Sequence, residues 1–371
     1  MIRSDKLQKK NIEILLENNF KQQIKKDKNI KNALMLIHSD KYNIHLNMAE
    51  GMTEGVKSNS MQPFHIASIG KLFTSVLIGV LYEQNKLTYE DYIIKYFEDD
   101  LLDNIHLYKG ADYTNQIKIK HLLNHTSGLH DYFDDKPKKG KSMLQLIKEN
   151  PYNSWSPREI IKWSKENLKS HFPPGKGFHY SDTGYHILGL IIENVTKMPL
   201  HEAFEFYVFK PLEMKNSYLA SNLQENKENK YPIADVYWDN INVKEYSILK
   251  DDYAGGGIVT TTEDALKFMK AIVNFQIIKE ETFNKMKDWA GFFNLFFIGI
   301  DYGYGLMNFK TIPLLMPSKY NVWGNAGSIG SFMFYNKKTD TYFIGSLNNF
   351  RYHRKGIQLM LKSINIILRN K

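Results

Sequence analysis

Apolar residues recur at near-helical spacing over residues 7–25, where Leu7, Ile12, Leu15, Leu16, Phe20 and Ile24 predict an amphipathic opening helix. The pattern then shortens and alternates: residues 33–38 and 42–48 read as a pair of strands. Helical spacing returns from Ser68 to about Asn85, with Leu72, Phe73, Val76, Leu77, Val80 and Leu81 on the apolar face. The middle of the chain reads as helices and loops punctuated by Pro137, Pro151, Pro157, Pro173 and Pro174. A further helix, over residues 262–274, follows the run Gly255-Gly-Gly257. Strand-like runs reappear at 303–309, 330–335 and 342–347, and a last amphipathic helix covers about 356–368.

Strands at both ends with helices between them predict one sheet assembled from the two chain ends, with a mainly helical insertion. The expected division is a single unit over 7–366. Its sheet lobe covers about 7–66 and 254–366, and its helical lobe about 67–253. The charged or polar stretches 134–142 and 221–230 read as loops.

Composition narrows the possibilities. The chain has 371 residues, 43% hydrophobic and 13% aromatic, enough to build a large core. Its most apolar run, residues 290–300, contains Asn294 and is shorter than the roughly 20 residues needed to span a bilayer. With no cysteine, disulfides, a thiol nucleophile and thiolate metal sites are excluded. No apolar leader with a small-residue cleavage site is legible. The expectation is therefore cytoplasmic if Met1 is the native start, and exported if a leader has been removed. The net charge of +9 includes lysine clusters at Lys25, Lys26, Lys28 and Lys31 and at Lys136, Lys138, Lys139 and Lys141. No aromatics interleave with them as a nucleic-acid platform requires. They read as a solvated surface, with contact to a polyanion as the alternative.

Ser68-Ile-Gly-Lys71 opens a strongly apolar helix. Serine needs a partner to take its proton, and residues three apart on a helix share a face. Lys71 can therefore reach the Ser68 hydroxyl, and burial or a neighbouring cation can lower its pKa enough to make it a base. Alone, the pattern also describes an ordinary capped helix. A second signal is Pro174-Gly-Lys-Gly-Phe-His-Tyr-Ser-Asp-Thr-Gly-Tyr185, which leads into the apolar helical run 187–195.

With these motifs the chain resembles the serine β-lactamase and penicillin-binding-protein superfamily, in its class C, D-aminopeptidase and esterase branch. Tyr180-Ser-Asp182 stands where that family carries Tyr-x-Asn. Further matches follow in order: His121-Leu-Leu-Asn-His-Thr-Ser-Gly-Leu129, Ala254-Gly-Gly-Gly-Ile-Val-Thr-Thr-Thr262, Tyr302-Gly-Tyr-Gly305 and Gly324-Asn-Ala-Gly-Ser-Ile-Gly-Ser-Phe332. The resemblance implies an α+β fold of the β-lactamase/transpeptidase type. It also implies acyl-enzyme formation at Ser68, with proton traffic shared by Lys71 and Tyr180. The implied oxyanion hole is the N–H groups of Ser68 and Ser328, and no cofactor or metal is implied.

Two departures bear on the substrate. Asp182 puts a carboxylate where the family has an amide, which favours a protonated Lys71 and shifts the base role toward Tyr180. Asn325-Ala326-Gly327 replaces the usual Lys-Thr-Gly or His-Thr-Gly, removing a cation and a hydroxyl that grip a substrate carboxylate. With Asp182, these are the expected substrate-binding positions. The expected substrate is a small or cell-wall-derived ester or amide, including D-amino-acyl compounds. A D-alanyl-D-alanine carboxypeptidase, a β-lactamase, and a non-catalytic binding protein retaining the fold are the alternatives. His121 and His125 have the spacing of a zinc pair but lack the adjacent glutamate of a metalloprotease helix, and read as loop structure. Phe292, Phe293, Phe296 and Phe297 read equally as cleft lining or core, and Tyr302 and Tyr304 as cleft border or strand packing.

Overall fold

The computed structural model describes residues 2–221, 229–291, 299–310 and 317–370, with side chains from residue 9 onward. The four phenylalanines of 292–297 and most of the 221–230 loop lie outside the described residues.

The strand pair read from the N-terminal pattern forms as Asn32–Ser39 and Ile44–Thr53, antiparallel with Leu36 opposite Asn47. Asn32–Ser39 also pairs with Thr341–Ser346 near the other end of the chain, Leu36 opposite Ile344. The sheet continues through Phe332–Asn336, Trp323–Ala326, Met307–Phe309 and Ile300–Tyr302, and ends on its far side at Val56–Lys57. One eight-stranded antiparallel sheet is thus built from both chain ends. Its central strands are apolar on both faces because both are covered. Met35, Ile37, Phe332, Phe334 and Phe343 pack under the terminal helices Ile2–Lys26 and His353–Arg369, against Leu16, Phe20, Met360 and Ile364. Leu34, Leu36, Met333 and Ile344 face the other way, toward Phe73 and Phe268. Among the described residues no helix is long and apolar enough to cross a membrane.

The run 303–309 departs from the single strand expected. It is the second half of a hairpin, Ile300–Tyr302 and Met307–Phe309, turning through 303–306 with Gly303 N–H on the Leu306 carbonyl at 2.8 Å. Gly305 has φ +59, and a Cβ there would stand 2.5 Å from the Lys71 carbonyl oxygen. The turn is a glycine turn because it lies on the backbone of the next helix.

That helix, Gly70–Glu83, is the centre of the insertion and is almost wholly buried. Asp182–Thr196 packs beside it, its first turn capped by the Ser181 hydroxyl accepting from Gly184 N–H at 3.1 Å. The third neighbour is the short turn Tyr253–Gly256. A Cβ on Gly70 would come 2.8 Å from the Cα of Gly256, so two backbones touch with no side chain between them. Thr262–Val273 follows, N-capped by Thr261, and lies against the sheet.

The close approach generates a prediction. Gly70→Ala gains up to about 1 kcal/mol of helix propensity but forces two backbones apart at a cost of about 1–3 kcal/mol. The expected outcome is a lower midpoint in urea unfolding with an unchanged m-value. A midpoint at or above that of the wild type refutes the contact.

Candidate active site

Ser68 lies in a tight 3-10 turn, Ala67–Ile69, that runs directly into the Gly70–Glu83 helix. Ala67 has φ +47, a left-handed conformation that a residue with a side chain adopts at a cost of about 1–3 kcal/mol. The neighbours hold it there. Ile66 donates its N–H to the Ile258 carbonyl at 3.1 Å and accepts from the Ser331 hydroxyl at 2.7 Å. A Cβ on Gly327 would sit 2.9 Å from that of Ala67, so the Trp323–Ala326 strand ends hard against the turn. The result is a half-buried Ser68 projecting from a fixed backbone.

Lys71, one turn on, is completely buried. Its ammonium is 3.4 Å from Ser68 Oγ and donates to the Gly255 carbonyl at 2.9 Å. It also forms an ion pair with Asp182, and its Nζ lies 5.0 Å from the Tyr180 ring centre. Gly255 has no side chain because a Cβ there would come 3.4 Å from Lys71 Nζ and 2.7 Å from Asp252 Oδ1. The Tyr180 hydroxyl shares a hydrogen bond with Ser68. The structure therefore brings Ser68, Lys71, Tyr180 and Asp182 together. Ser328 adjoins them, lining a cavity with Ala67. Among the described residues neither the Ser68 nor the Ser328 N–H is paired with a backbone carbonyl.

Asn325 is placed differently from a substrate-gripping residue. It is fully buried, its amide donates to the Gly305 carbonyl at 2.8 Å, and its oxygen accepts from Ala326 N–H at 2.7 Å. Asn325 thus joins the hairpin turn to the cleft strand. Tyr302 belongs to the site wall, its ring 5.9 Å from that of Tyr180, whereas the Tyr304 hydroxyl leaves it to donate to Asp288 at 3.0 Å.

Sequence reasoning passed over two carboxylates. Asp252 precedes the glycine run, and Asp131 accepts from the Asp182 N–H at 2.9 Å. Burial pushes Asp252 up to about 7, with the Lys71 charge opposing and the Asp182 charge adding to the rise. Burial and then the charge of Asp182 also raise Asp131 well above the carboxylate range. For Lys71, burial pulls downward, but Asp182 and Asp252 outweigh it and hold the ammonium above the ordinary lysine value. For Tyr180, burial and then Asp182 push the phenol well above its usual value, with the Ser68 hydrogen bond opposing. The Asp182 carboxylate therefore holds Lys71 charged, as the substitution for Asn implied. It also keeps Tyr180 protonated, so a standing phenolate is not the base.

The buried histidines near the site belong to its packing. His125 sits past the end of the Ile119–Leu123 helix with φ +59, off the face of His121. Its Nδ1 accepts from Ser181 N–H at 3.1 Å, and His121 Nδ1 accepts from Lys118 N–H at 3.1 Å. Burial first and the Lys71 charge second push His125 well down and His186 to about 3.

A serine at the head of a helix, a buried lysine one turn later, a tyrosine across the cleft and a closing sheet strand are the arrangement of the β-lactamase and penicillin-binding-protein fold. The chain belongs to the Beta-lactamase family, whose model matches residues 18–359. It is 28% identical over 266 residues to penicillin-binding protein 4* of Bacillus subtilis, covering 67% of this chain and 52% of that protein. It is 31% identical over 162 residues to protein flp of Staphylococcus aureus strain MW2, covering 44% of this chain and 29% of that one. The chain thus spans about half the length, or less, of the curated relatives it matches. Among solved structures, D-amino acid amidase from Ochrobactrum anthropi SV3 superposes with TM-score 0.76 at 20% identity, covering 96% of this chain and 99% of that one. EstCE1, described as a hydrolase with promiscuous acyltransferase activity, superposes with TM-score 0.78 at 19% identity, covering 98% and 99%. At such identities these two establish the shared fold.

Removing Lys71 leaves Asp182 facing buried and half-buried carboxylates without a cation. Lys71→Ala is expected to lose about 3–5 kcal/mol of stability, while Ser68→Ala changes it by less than about 0.5 kcal/mol. Equal denaturation midpoints for the two variants would count against a buried pair.

Proposed function

We propose that this protein is a serine hydrolase that forms an acyl-enzyme through Ser68 on an ester or amide substrate. The observation that carries the reading is the convergence on Ser68 Oγ of the Lys71 ammonium, at 3.4 Å, and the Tyr180 hydroxyl. In the resting site Lys71 is the charged partner of the Lys71–Asp182 ion pair. As substrate displaces water, the neutral form of a buried pair gains on the charged form. Lys71 passes a proton to Asp182, and its Nζ takes the Ser68 proton as Oγ attacks the carbonyl. The Ser68 and Ser328 N–H groups hold the oxyanion. Tyr180, protonated throughout, gives its proton to the leaving group and is refilled from Lys71. Water then repeats the sequence in reverse to release the acid.

The small pocket next to Ser68, lined by its neighbour Ala67, bears on the substrate class. Phe133, Ile248, Leu249, Ile329, Phe350 and Asp252 are among its lining residues. No Lys or Arg is among its described lining residues, and burial pushes His65 down to about 4. Such a wall suits an apolar side chain and offers no cation to a substrate carboxylate. An apolar D-amino-acyl amide or ester has that chemistry, in keeping with the fold neighbour described as a D-amino acid amidase. D-alanyl-D-alanine peptides and penicillins both carry the carboxylate and fit less well.

Incubation with p-nitrophenyl esters and D- and L-amino-acid p-nitroanilides, read by chromophore release and intact mass, tests the assignment. The expected result is turnover of an apolar ester or D-amino-acyl compound, an acyl adduct on the wild type, and neither with Ser68→Ala. A Ser68→Ala variant that still binds ligand, beside a wild type with no turnover, would establish a binding protein instead.

Asp182→Asn tests the proton path. With that carboxylate gone, burial is opposed chiefly by Asp252 and the Lys71 pKa falls from its raised position. The variant's kcat/KM is expected to climb with pH through a lysine ionisation that lies lower than in the wild type. Superimposable profiles would remove Lys71 from the role of base.

A further inference from the structure

Away from Ser68, three side chains converge that the mechanism does not use. His171 Nε2 lies 2.8 Å and His179 Nε2 3.2 Å from the same oxygen, Asp135 Oδ2. The two imidazoles stack with centres 3.5 Å apart at 26°. All three donor atoms lie within 4.8 Å of one another. From this geometry we infer that Asp135, His171 and His179 form a site for a divalent transition-metal ion, zinc being the reference case.

Each ligand is held by backbone rather than by chance contact. His171 N–H donates to the Gly128 carbonyl at 2.9 Å and His179 N–H to the His125 carbonyl at 3.0 Å, so both ends of the Pro173-Pro174-Gly175 turn are tied to one segment. Asp135 N–H donates to the Asp131 carbonyl at 3.1 Å, and Asp131 N–H returns a bond of 2.8 Å to Asp135 Oδ2. Zinc bonds of about 2.0–2.1 Å place tetrahedral ligand atoms roughly 3.3 Å apart. The observed 2.8 and 3.2 Å edges need only small adjustments to admit the ion. Each histidine then ligates through Nε2 and keeps its proton on Nδ1, and the carboxylate supplies one oxygen. Side-chain exposures of 17% for Asp135, 35% for His171 and 25% for His179 give the ion an entry path and leave a fourth position for water.

The ion acts as a clip. It fastens the loop carrying Asp131, which accepts from the Asp182 N–H, to the segment in which His179 precedes Tyr180. The chemistry at Ser68 needs no metal, so the clip's signature is affinity and thermal stability.

Protein stripped with EDTA and desalted, then titrated with zinc chloride by calorimetry, is expected to bind one ion per chain with Kd below about 10 μM and a higher Tm. His171→Ala/His179→Ala and, separately, Asp135→Asn should weaken binding at least 100-fold, while their Tm in EDTA matches the wild type and shows that they fold. Cobalt(II) added to the stripped wild type should give the intense visible absorption of a tetrahedral site, a reading independent of any variant. His38 Nδ1 and His45 Nδ1 lie 3.0 Å apart on the sheet and provide the control. The inference is overturned by the absence of saturable binding, by a cobalt spectrum like that of the aqua ion, or by binding that survives in His171→Ala/His179→Ala and disappears in His38→Ala/His45→Ala.

Discussion

The ammonium of Lys71 is the group around which this molecule is arranged. A buried cation is tolerable only with its charge matched and its hydrogen bonds made. Asp182 supplies the charge and the Gly255 carbonyl an acceptor, with Asp252 adding negative potential behind them. Those requirements reach far along the chain. They explain why the Asp182–Thr196 helix starts at an aspartate, why a run of glycines follows Asp252, and why Gly70 and Gly256 meet backbone to backbone. Ser68 is the proposed nucleophile, but it is the lysine that fixes where three separate segments must come together.

One cation faces three carboxylates in this region, and burial decides how the charge is distributed. Asp131 and Asp252 are pushed toward their neutral forms, and Asp182 makes the ion pair with Lys71. The phenol of Tyr180 and the rings of His125 and His186 are held neutral by the same desolvation. Around Ser68 a single ion pair therefore stands among groups that are polar but uncharged. Such a site has low dielectric response and strong local fields.

Much of this could be read from the chain, and the limits follow from distance in sequence. Ser68 and Lys71 are legible because a helix puts residues three apart on one face. Tyr180 and Asp182 are legible because a local turn and helix start carry them. The two-faced strands announce themselves as continuous apolar runs. By contrast, the 303–309 run looks like one strand because its turn is hidden inside it, marked only by Gly305 pressing on Lys71. His121 and His125 look like a helical pair until the chain leaves the helix at His125 with positive φ. Asn325 reads as a cleft residue, yet its amide is committed to Gly305 and Ala326. Asp131, Asp252 and the trio Asp135, His171 and His179 meet only through tertiary folding, so no spacing reveals them.

The contact of Gly70 with Gly256, and of Gly327 with Ala67, sets the nucleophile by main chain alone. Phe133, Ile248 and Phe350, which wall the adjoining cavity, come from three other stretches of the chain. Reactivity and selectivity are therefore mechanically separable. A designer can rebuild the cavity wall residue by residue while the bed beneath Ser68 stays as it is, and the same bed leaves almost no latitude for retuning the serine itself.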